Sequence, residues 1–169
     1  NNVCISEEVI LNGTGASTYV WDNGVTNNVN FAPPVGTTMY TVIGEDVNGC
    51  FNTDSISVTV NALPNVVAVR DTNNVCISEE VILNGTGADT YVWDNGVTNN
   101  VSFAPPVGTT MYTVVGEDVN GCFNTDSIAI TVNALPNVVA VRDTNNVCIS
   151  EEVILNGTGA STYVWDNGV

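Results

Sequence analysis

A 72-residue repeat determines how this chain can fold. Residues 1–72 recur as residues 73–144, and a third copy begins at Asn145 and continues to Val169. A period of 72 is longer than the roughly 20–50 residues of a solenoid unit, so each copy can form a small domain with its own core. We therefore expect tandem domains of one kind. Only five positions differ between the first two copies, namely Ser17/Asp89, Asn30/Ser102, Ile43/Val115, Ser57/Ala129 and Val58/Ile130.

The alternation of apolar and polar residues predicts strands and no helix. Thr18–Trp21 alternates, with Tyr19 and Trp21 on one face, and the Asp-Asn-Gly sequence that follows predicts a turn. Ser55–Val60 also alternates, which directs its three aliphatic residues toward a core. The remaining strands are expected at Val9–Asn12, Val29–Phe31, Thr37–Gly44 and Val66–Val69.

The number of strands and turns predicts the fold class. About seven strands per period with regular turn signals indicate an all-β chain of tandem immunoglobulin-like β-sandwich domains. The Asn-Ala-Leu-Pro sequence at 61–64 is expected to be a linker. It divides the chain into three parts. Residues 1–63 are a repeat lacking its first strand, residues 64–135 are a complete repeat and residues 136–169 are a truncated repeat. The two partial repeats would expose sheet edges, so the chain is either a window of a longer repetitive polypeptide or is completed by strand addition from neighbouring copies.

The cysteines indicate one disulfide in each full repeat. The chain has five cysteines and no histidine, and no pair has the spacing of a zinc site. We expect Cys4 to bond Cys50 and Cys76 to bond Cys122, with buried free thiols as the alternative. Each bond would close a long loop and stabilise a small domain by about 4 kcal/mol in the chain-entropy model. Disulfides persist outside the cytosol, which predicts an extracellular location.

Charge and residue content exclude several classes of function. The chain carries 18 acidic residues, two arginines and no lysine, for a formal net charge of −16, so it offers no basic patch for nucleic acid. Without histidine or lysine, it has no Ser-His, Cys-His or lysine-activated nucleophile. No apolar run approaches the roughly 18 residues of a membrane span. We expect no enzymatic activity and a solubilising acidic surface.

Two turns with acidic and amide side chains are candidate calcium sites. Hard oxygen ligands suit calcium, although their spacing does not match an EF-hand loop. Asp and Asn with Gly also form ordinary turns, because their side chains bind their own backbone and Gly accepts positive φ. We expect turn chemistry first and structural calcium as the alternative cofactor. The candidate ligands are Glu45, Asp46 and Asn48 in the first repeat and Glu117, Asp118 and Asn120 in the second.

Short patterns also indicate candidate glycosylation sites. Asn12 and Asn84 each begin an Asn-Gly-Thr sequence, which fits the N-linked acceptor pattern. Ser55 and Ser127 each follow an aspartate, a pattern similar to an O-glycosylation site of Bacteroidota. Three-residue patterns also occur by chance. The aromatic rings of Trp21 and Tyr19 would form a carbohydrate-binding face if they were exposed. Because both residues lie on one face of an alternating strand, we expect them in the core.

The order of these segments resembles a known family. Val3-Cys4-Ile5, Tyr19–Gly24, Thr37–Val42 and Asp46–Cys50 together are similar to the Ig-like or PKD-like tandem repeats of large secreted Bacteroidota surface proteins. The resemblance covers every full repeat. It implies a bacterial cell-surface or extracellular location and a stalk or adhesive role.

Two classes of function fit such a string of domains. In the first, the repeats are structural and build a surface fibre, filament or adhesin stalk by associating with other copies or repeats of themselves. In the second, each repeat is a recognition module that binds a host or environmental glycan, or a protein, and gains avidity by repetition. Because near-identity extends over whole repeats, loops included, copy number is the useful variable, which favours the structural class.

Overall fold

The computed structural model describes residues 2–166, and all of the regular structure in them is β-strand. Every strand pair lies inside one of the units bounded by the Asn-Ala-Leu-Pro linkers, so we name residues 2–63 domain 1, residues 64–135 domain 2 and residues 136–166 the third copy. Domain 1 contains β1 (Asn2–Cys4), β2 (Val9–Ile10), β3 (Thr18–Trp21), β4 (Asn30–Phe31), β5 (Gly36–Glu45) and β6 (Phe51–Asn61). Domain 2 contains β7 (Val67–Arg70), β8 (Asn74–Cys76), β9 (Val81–Thr86), β10 (Thr90–Trp93), β11 (Ser102–Phe103), β12 (Gly108–Glu117) and β13 (Phe123–Asn133).

Domain 2 is an immunoglobulin-like sandwich of seven strands, which confirms the predicted fold class. One sheet has the order β10-β12-β13-β8 and the other has the order β11-β9-β7. The chain enters through β7 in the smaller sheet and crosses to the larger one, where β8 pairs in parallel with the end of β13. This change of sheet by the first part of the chain is an immunoglobulin-like arrangement.

The long hairpin of β12 and β13 sets the length of the domain. Its antiparallel register runs from Glu117 opposite Phe123 to Gly108 opposite Val132. The five-residue turn is closed by hydrogen bonds in which Asp118 N–H donates to the Cys122 carbonyl at 2.9 Å and Gly121 N–H donates to the Asp118 carbonyl at 3.1 Å. Cys122 therefore sits at the turn end of the sandwich, the end at which β7 also begins.

The core of domain 2 consists of the inward residues of alternating strands. Leu83, Val114 and Ile130 are completely buried, and Trp93 lies beside them. The indole N–H of Trp93 donates to Asn99 Oδ1 at 2.9 Å, so its one polar group is satisfied. The equivalent Trp21 in domain 1 is buried, as predicted, whereas Tyr19, which was also expected in the core, is only partly buried.

Domain 1 repeats this sandwich without the strand that β7 supplies to domain 2. Its larger sheet has the order β1-β6-β5-β3, and its smaller sheet is reduced to β2 and β4. β2 has two residues where β9 has six. Ile56, predicted to face the core, is 43% exposed, whereas the equivalent Ile128 packs against the core of domain 2. The difference arises because no strand lies on this side of domain 1.

The third copy forms a hairpin of β14 (Val139–Arg142) and β15 (Leu155–Thr158), with Val139 opposite Thr158 and Arg142 opposite Leu155. All four residues of β14 are exposed. A two-stranded hairpin of this kind is marginally stable in water. Across residues 2–166, there is no helix with the length and apolar character to cross a membrane.

Candidate functional site

The junction between domains 1 and 2 is bridged by a covalent bond. Cys4, at the end of β1, forms a disulfide with Cys122, in the turn before β13, and their Cα atoms are 5.6 Å apart. The two cysteines are 118 residues apart in sequence. Cys122 is fully buried. The bond therefore ties the exit end of domain 1 to the entry end of domain 2.

This pairing corrects the predicted bonds Cys4–Cys50 and Cys76–Cys122, which are both wrong. Cys4 lies opposite Asn61, the last residue of β6, while Cys50 immediately precedes Phe51, the first residue. A strand of 11 residues is about 33 Å long, and a disulfide needs Cα atoms within about 7 Å. The two cysteines of one repeat thus lie at opposite ends of the sandwich. A bond can form only between neighbouring domains.

Three cysteines, Cys50, Cys76 and Cys148, are free and exposed. Cys50 occupies in domain 1 the position of Cys122, and Cys76 occupies in domain 2 the position of Cys4. Each is therefore at the end of its domain that points away from the junction already bridged. Spacing alone did not reveal this arrangement. Comparing the strand length with the reach of a disulfide would have excluded the pairs inside a repeat.

An open groove of about 500 Å³ runs along domain 1. It is lined by backbone and side chains of the segment after β2, by the glycine near the end of β5 and by the first half of β6. Its apolar floor includes Leu11, Trp21, Val42 and Ile56, and Asn52 and Asp54 lie along its rim. A groove with an apolar floor and an unpaired strand edge is suited to binding an extended peptide.

In domain 2 the equivalent groove is filled by the first strand of that domain, β7, and by the residue before it. Val66 and Ala68 are buried there, while the intervening Val67 faces outward. β7 pairs with β9, from Val67 opposite Thr86 to Arg70 opposite Leu83. Val66 packs so closely on β12 that a Cβ built on Gly116 would lie 2.6 Å from its Cγ2 atom. Alternate side chains of this segment therefore fill the groove.

Polar groups on β13 hold the backbone of this strand. Asp126 Oδ2 accepts a hydrogen bond from Ala68 N–H at 2.8 Å, and Asn124 Nδ2 donates to the Pro64 carbonyl at 3.1 Å. The bond from Ala68, followed by that from Ser127 N–H, lowers the pKa of Asp126 below its ordinary value. Asp54 and Asn52 stand at the equivalent places in domain 1, where both are exposed.

The strand also requires glycine at one point of close approach. Gly87 has φ +89°, and a Cβ built on it would overlap the carbonyl oxygen of Asn65. At the equivalent Gly15, with φ +90°, the same Cβ would meet nothing within 4 Å. The space beside Gly87 is therefore occupied by the backbone that leads into β7, and the equivalent space beside Gly15 is open in domain 1.

The candidate calcium ligands form turns in the structure. Asp46 Oδ1 accepts hydrogen bonds from Asn48 N–H at 2.8 Å and Cys50 N–H at 2.9 Å, and Asn48 Nδ2 donates to Asp46 Oδ2 at 3.2 Å. The Cys50 bond contributes most to a lowered pKa of Asp46, and the Cys122 bond does so for Asp118. Within residues 2–166 no three His, Cys, Asp or Glu side chains converge as for a metal ion. Turn chemistry explains the arrangement, and calcium binding stays a prediction.

The candidate glycosylation residues differ in accessibility. Ser55 and Ser127 are exposed on β6 and β13. Asn12 is exposed beside the groove, whereas Asn84 is half-buried on β9 and accepts a hydrogen bond from Asn99 Nδ2 at 3.2 Å. Modification at these sites stays a prediction.

Comparison with known proteins gives fold-level likenesses only. No protein-family model and no curated protein sequence matches this chain. The fibronectin(III)-like modules of Clostridium thermocellum CbhA are 12% identical with a TM-score of 0.36, over 79% of this chain and 89% of that chain. Mouse protocadherin-24 EC1-3 is 10% identical with a TM-score of 0.37, over 94% of this chain and 72% of that chain. With TM-scores this low neither likeness carries an argument, and the immunoglobulin-like assignment rests on the strand order described above.

Proposed function

We propose that this chain is a non-catalytic structural segment of an extracellular fibre or adhesin stalk on a bacterial surface. The observation that carries the proposal is the disulfide from Cys4 to Cys122, which connects two successive domains end to end. A bond placed at a junction fixes the spacing and orientation of the domains. That is what a fibre requires of its repeats.

The same bond supports a location outside the cell. Disulfides of this kind persist in oxidising compartments and are rare in the cytosol. The acidic surface, with a formal net charge of −16, keeps neighbouring chains soluble and apart in low salt. The resemblance of the repeats to those of secreted Bacteroidota surface proteins supports the same location and role.

Small-angle X-ray scattering of the oxidised and reduced chain tests the structural role. We expect the oxidised chain to have one well-defined maximum dimension, and the reduced chain or a Cys4→Ser variant to have a broader distribution of distances. Cys148→Ser is the matched control, because Cys148 is outside the bridge and exposed. Identical scattering of the oxidised and reduced chain would contradict a structural role for the junction.

Recognition is the second candidate function, favoured by the groove in domain 1, which has the form of a peptide-binding site. A glycan array and a protein array, probed with the oxidised chain, test it directly. Saturable binding to one class of glycan, unaffected by reduction of the junction, would replace the structural proposal. We expect no such binding.

A further inference from the structure

The larger sheet of each domain presents an uncharged face to the outside. In domain 2 we define this outer face as every second residue from Thr109 to Val115 on β12 and from Thr125 to Thr131 on β13, together with Val92 on β10. The same positions of domain 1 run from Thr37 to Ile43 and from Thr53 to Thr59, together with Val20. All of these side chains are apolar or carry a hydroxyl group, in a chain with a formal net charge of −16.

The carboxylates of domain 2 lie outside the outer face. Asp71, Glu79, Glu80, Asp89 and Asp118 lie between strands. Glu117 ends β12 at the hairpin turn, one row beyond the face. Asp94 follows β10 at the edge of the sheet, where its Oδ1 accepts a hydrogen bond from Thr113 N–H at 3.0 Å. Asp126 lies on β13 but points to the opposite side, where it holds Ala68 N–H.

The centre of the outer face is apolar and exposed. Val92 is 70% exposed and Met111 is 56% exposed, and the equivalent Val20 and Met39 of domain 1 are exposed to a similar extent. At the far end of the face the hydroxyls of Thr109 and Thr131 bond each other at 3.0 Å, so they need no partner from outside. Contiguous exposed apolar residues of this kind mark an interaction surface.

We propose that the outer face is a lateral contact between copies of this chain, in which the outer face of a domain in one copy packs against the outer face of a domain in a second copy. The proposal rests on the proposed function and deepens it by naming the surface through which neighbouring stalks or fibres associate. Two sheets that pack face to face lie about 10 Å apart, as in the interior of a sandwich.

Charge identifies a second copy as the occupant. Two acidic chains repel each other wherever carboxylates meet, but at the outer face no carboxylate lies between the two sheets. The two domains differ on this face only by Ile43/Val115 and Ser57/Ala129, which are uncharged, so either domain of one copy can pack against either domain of another. A basic partner would bind the acidic turns instead, and a glycan would need aromatic rings for stacking, which this face does not offer.

The area of the outer face determines how many domains must take part. Because β12 and β13 pair over ten residues, the face is about 33 Å long, and with β10 it is about 13 Å wide, which gives roughly 400 Å² on each partner. A specific complex buries roughly 800 Å² on each partner. One pair of domains is therefore too small for a stable contact, and two or more pairs must act together, so repetition supplies the affinity.

Sedimentation velocity of the oxidised 169-residue chain tests the proposal. The exposed thiols are first alkylated so that no disulfide links two copies, and the chain is produced without glycan because Ser55 and Ser127 lie on the outer face. We expect the average mass to rise as the concentration is raised from micromolar to millimolar. It should rise further as salt is raised from about 0.05 M to about 0.5 M, because salt screens the repulsion between acidic copies.

Substitutions identify the surface. Met39→Glu with Met111→Glu adds one charge to the outer face of each domain, while the matched Val47→Glu with Val119→Glu adds the same charges to the hairpin turns. All four side chains are exposed, so neither variant disturbs a core. We expect the methionine variant to weaken self-association at least tenfold and the valine variant to have little effect.

The two methionines also report the contact directly. They are the only methionines in the chain, and both lie on the outer face. We expect dilute hydrogen peroxide to oxidise them at least threefold more slowly in concentrated than in dilute solution, as peptide mass spectrometry would measure. Methionine sulfoxide is polar, so chains that carry it should remain monomeric.

Four results would overturn the proposal. The first three are a chain that stays monomeric at millimolar concentration in high salt, equal weakening by the two pairs of substitutions, and association that leaves the methionines as reactive as in dilute solution. The fourth is protection of the methionines by added dextran in a chain that stays monomeric, which would assign the face to glycan binding. The scattering experiment on dilute chains tests the junction inside one copy, so failure of the lateral contact is distinguishable from failure of the fibre function.

Discussion

Stretching a single chain measures directly how the inter-domain disulfide shields the domains from force. Cys4 and Cys122 are 118 residues apart, so the bond excludes that segment from any extension applied at the two ends of the chain. An extended chain gains about 3.3–3.6 Å per residue, so the oxidised chain should release about 390–425 Å less contour length than the reduced chain. The force then passes through the bond, and in domain 2 it loads only β13, which follows Cys122 and lies outside the closed loop.

Single-molecule force spectroscopy with handles at both ends gives this number. Reduction before stretching, or Cys4→Ser, should restore the missing length in full. Cys148→Ser should leave the oxidised behaviour unchanged, because that cysteine lies outside the bond. Isolated molecules at low surface density exclude bonds between copies.

The size of the difference also identifies the pairing. Bonds inside each repeat would enclose 46 residues twice, since 50 − 4 = 46 and 122 − 76 = 46. They would produce two separate deficits of about 150–165 Å each. That result, or equal lengths for the oxidised and reduced chain, would refute the inter-domain connection and with it the reasoning from strand length.

Three other expectations concern stability. Leu83→Ala should destabilise domain 2 by about 3–5 kcal/mol. Leu11→Ala should destabilise domain 1 by only about 2–3 kcal/mol, because the cavity left by the leucine opens to the groove. Hydrogen exchange of the amides in each domain measures both effects. Because the pKa of Asp126 is lowered in the folded chain, its carboxylate contributes stability above the ordinary pKa of about 4, and this stability is lost as pH falls through the folded pKa. Protection of the Ala68 amide from hydrogen exchange should therefore fall in acid in the native chain, and Asp126→Asn should lack this pH dependence. Chelation of calcium should leave the melting temperature unchanged, because the Asp46 oxygens are occupied by the turn, and a fall on chelation would establish a calcium site.

The fold could be predicted because local signals and the repeat agree. Thr18–Trp21 is a strand with the predicted bounds, since alternation and the following turn define both of its ends. The strand predicted at Ser55–Val60 extends back to Phe51, because pairing with Glu45 across the hairpin adds residues that do not alternate in hydrophobicity. Pairing partners therefore decide strand length where local pattern does not.

The site could be predicted only in part. The sequence identified cysteines as the covalent staples, but spacing in a chain does not say at which end of a sandwich a residue lies. The groove corresponds to the first strand predicted to be missing in 1–63, whereas its depth and the positions of Asp54 and Asn52 along its rim depend on the packing of two sheets. The hydroxyl of Tyr19 accepts a hydrogen bond from Ala16 N–H and donates one to the Ala16 carbonyl, a contact that the alternating pattern of Thr18–Trp21 did not indicate.

The position of the cysteines determines what kind of protein the repeats can make. Two cysteines at one end of a sandwich would stabilise each domain and leave successive domains joined by a flexible linker alone. Here β6 separates them by its full length, so the same two cysteines can only connect neighbours. The loop of 118 residues exceeds the period of 72, and loops closed in successive repeats therefore overlap by 118 − 72 = 46 residues. The proposed fibre would in this way be covalently continuous across its domain junctions.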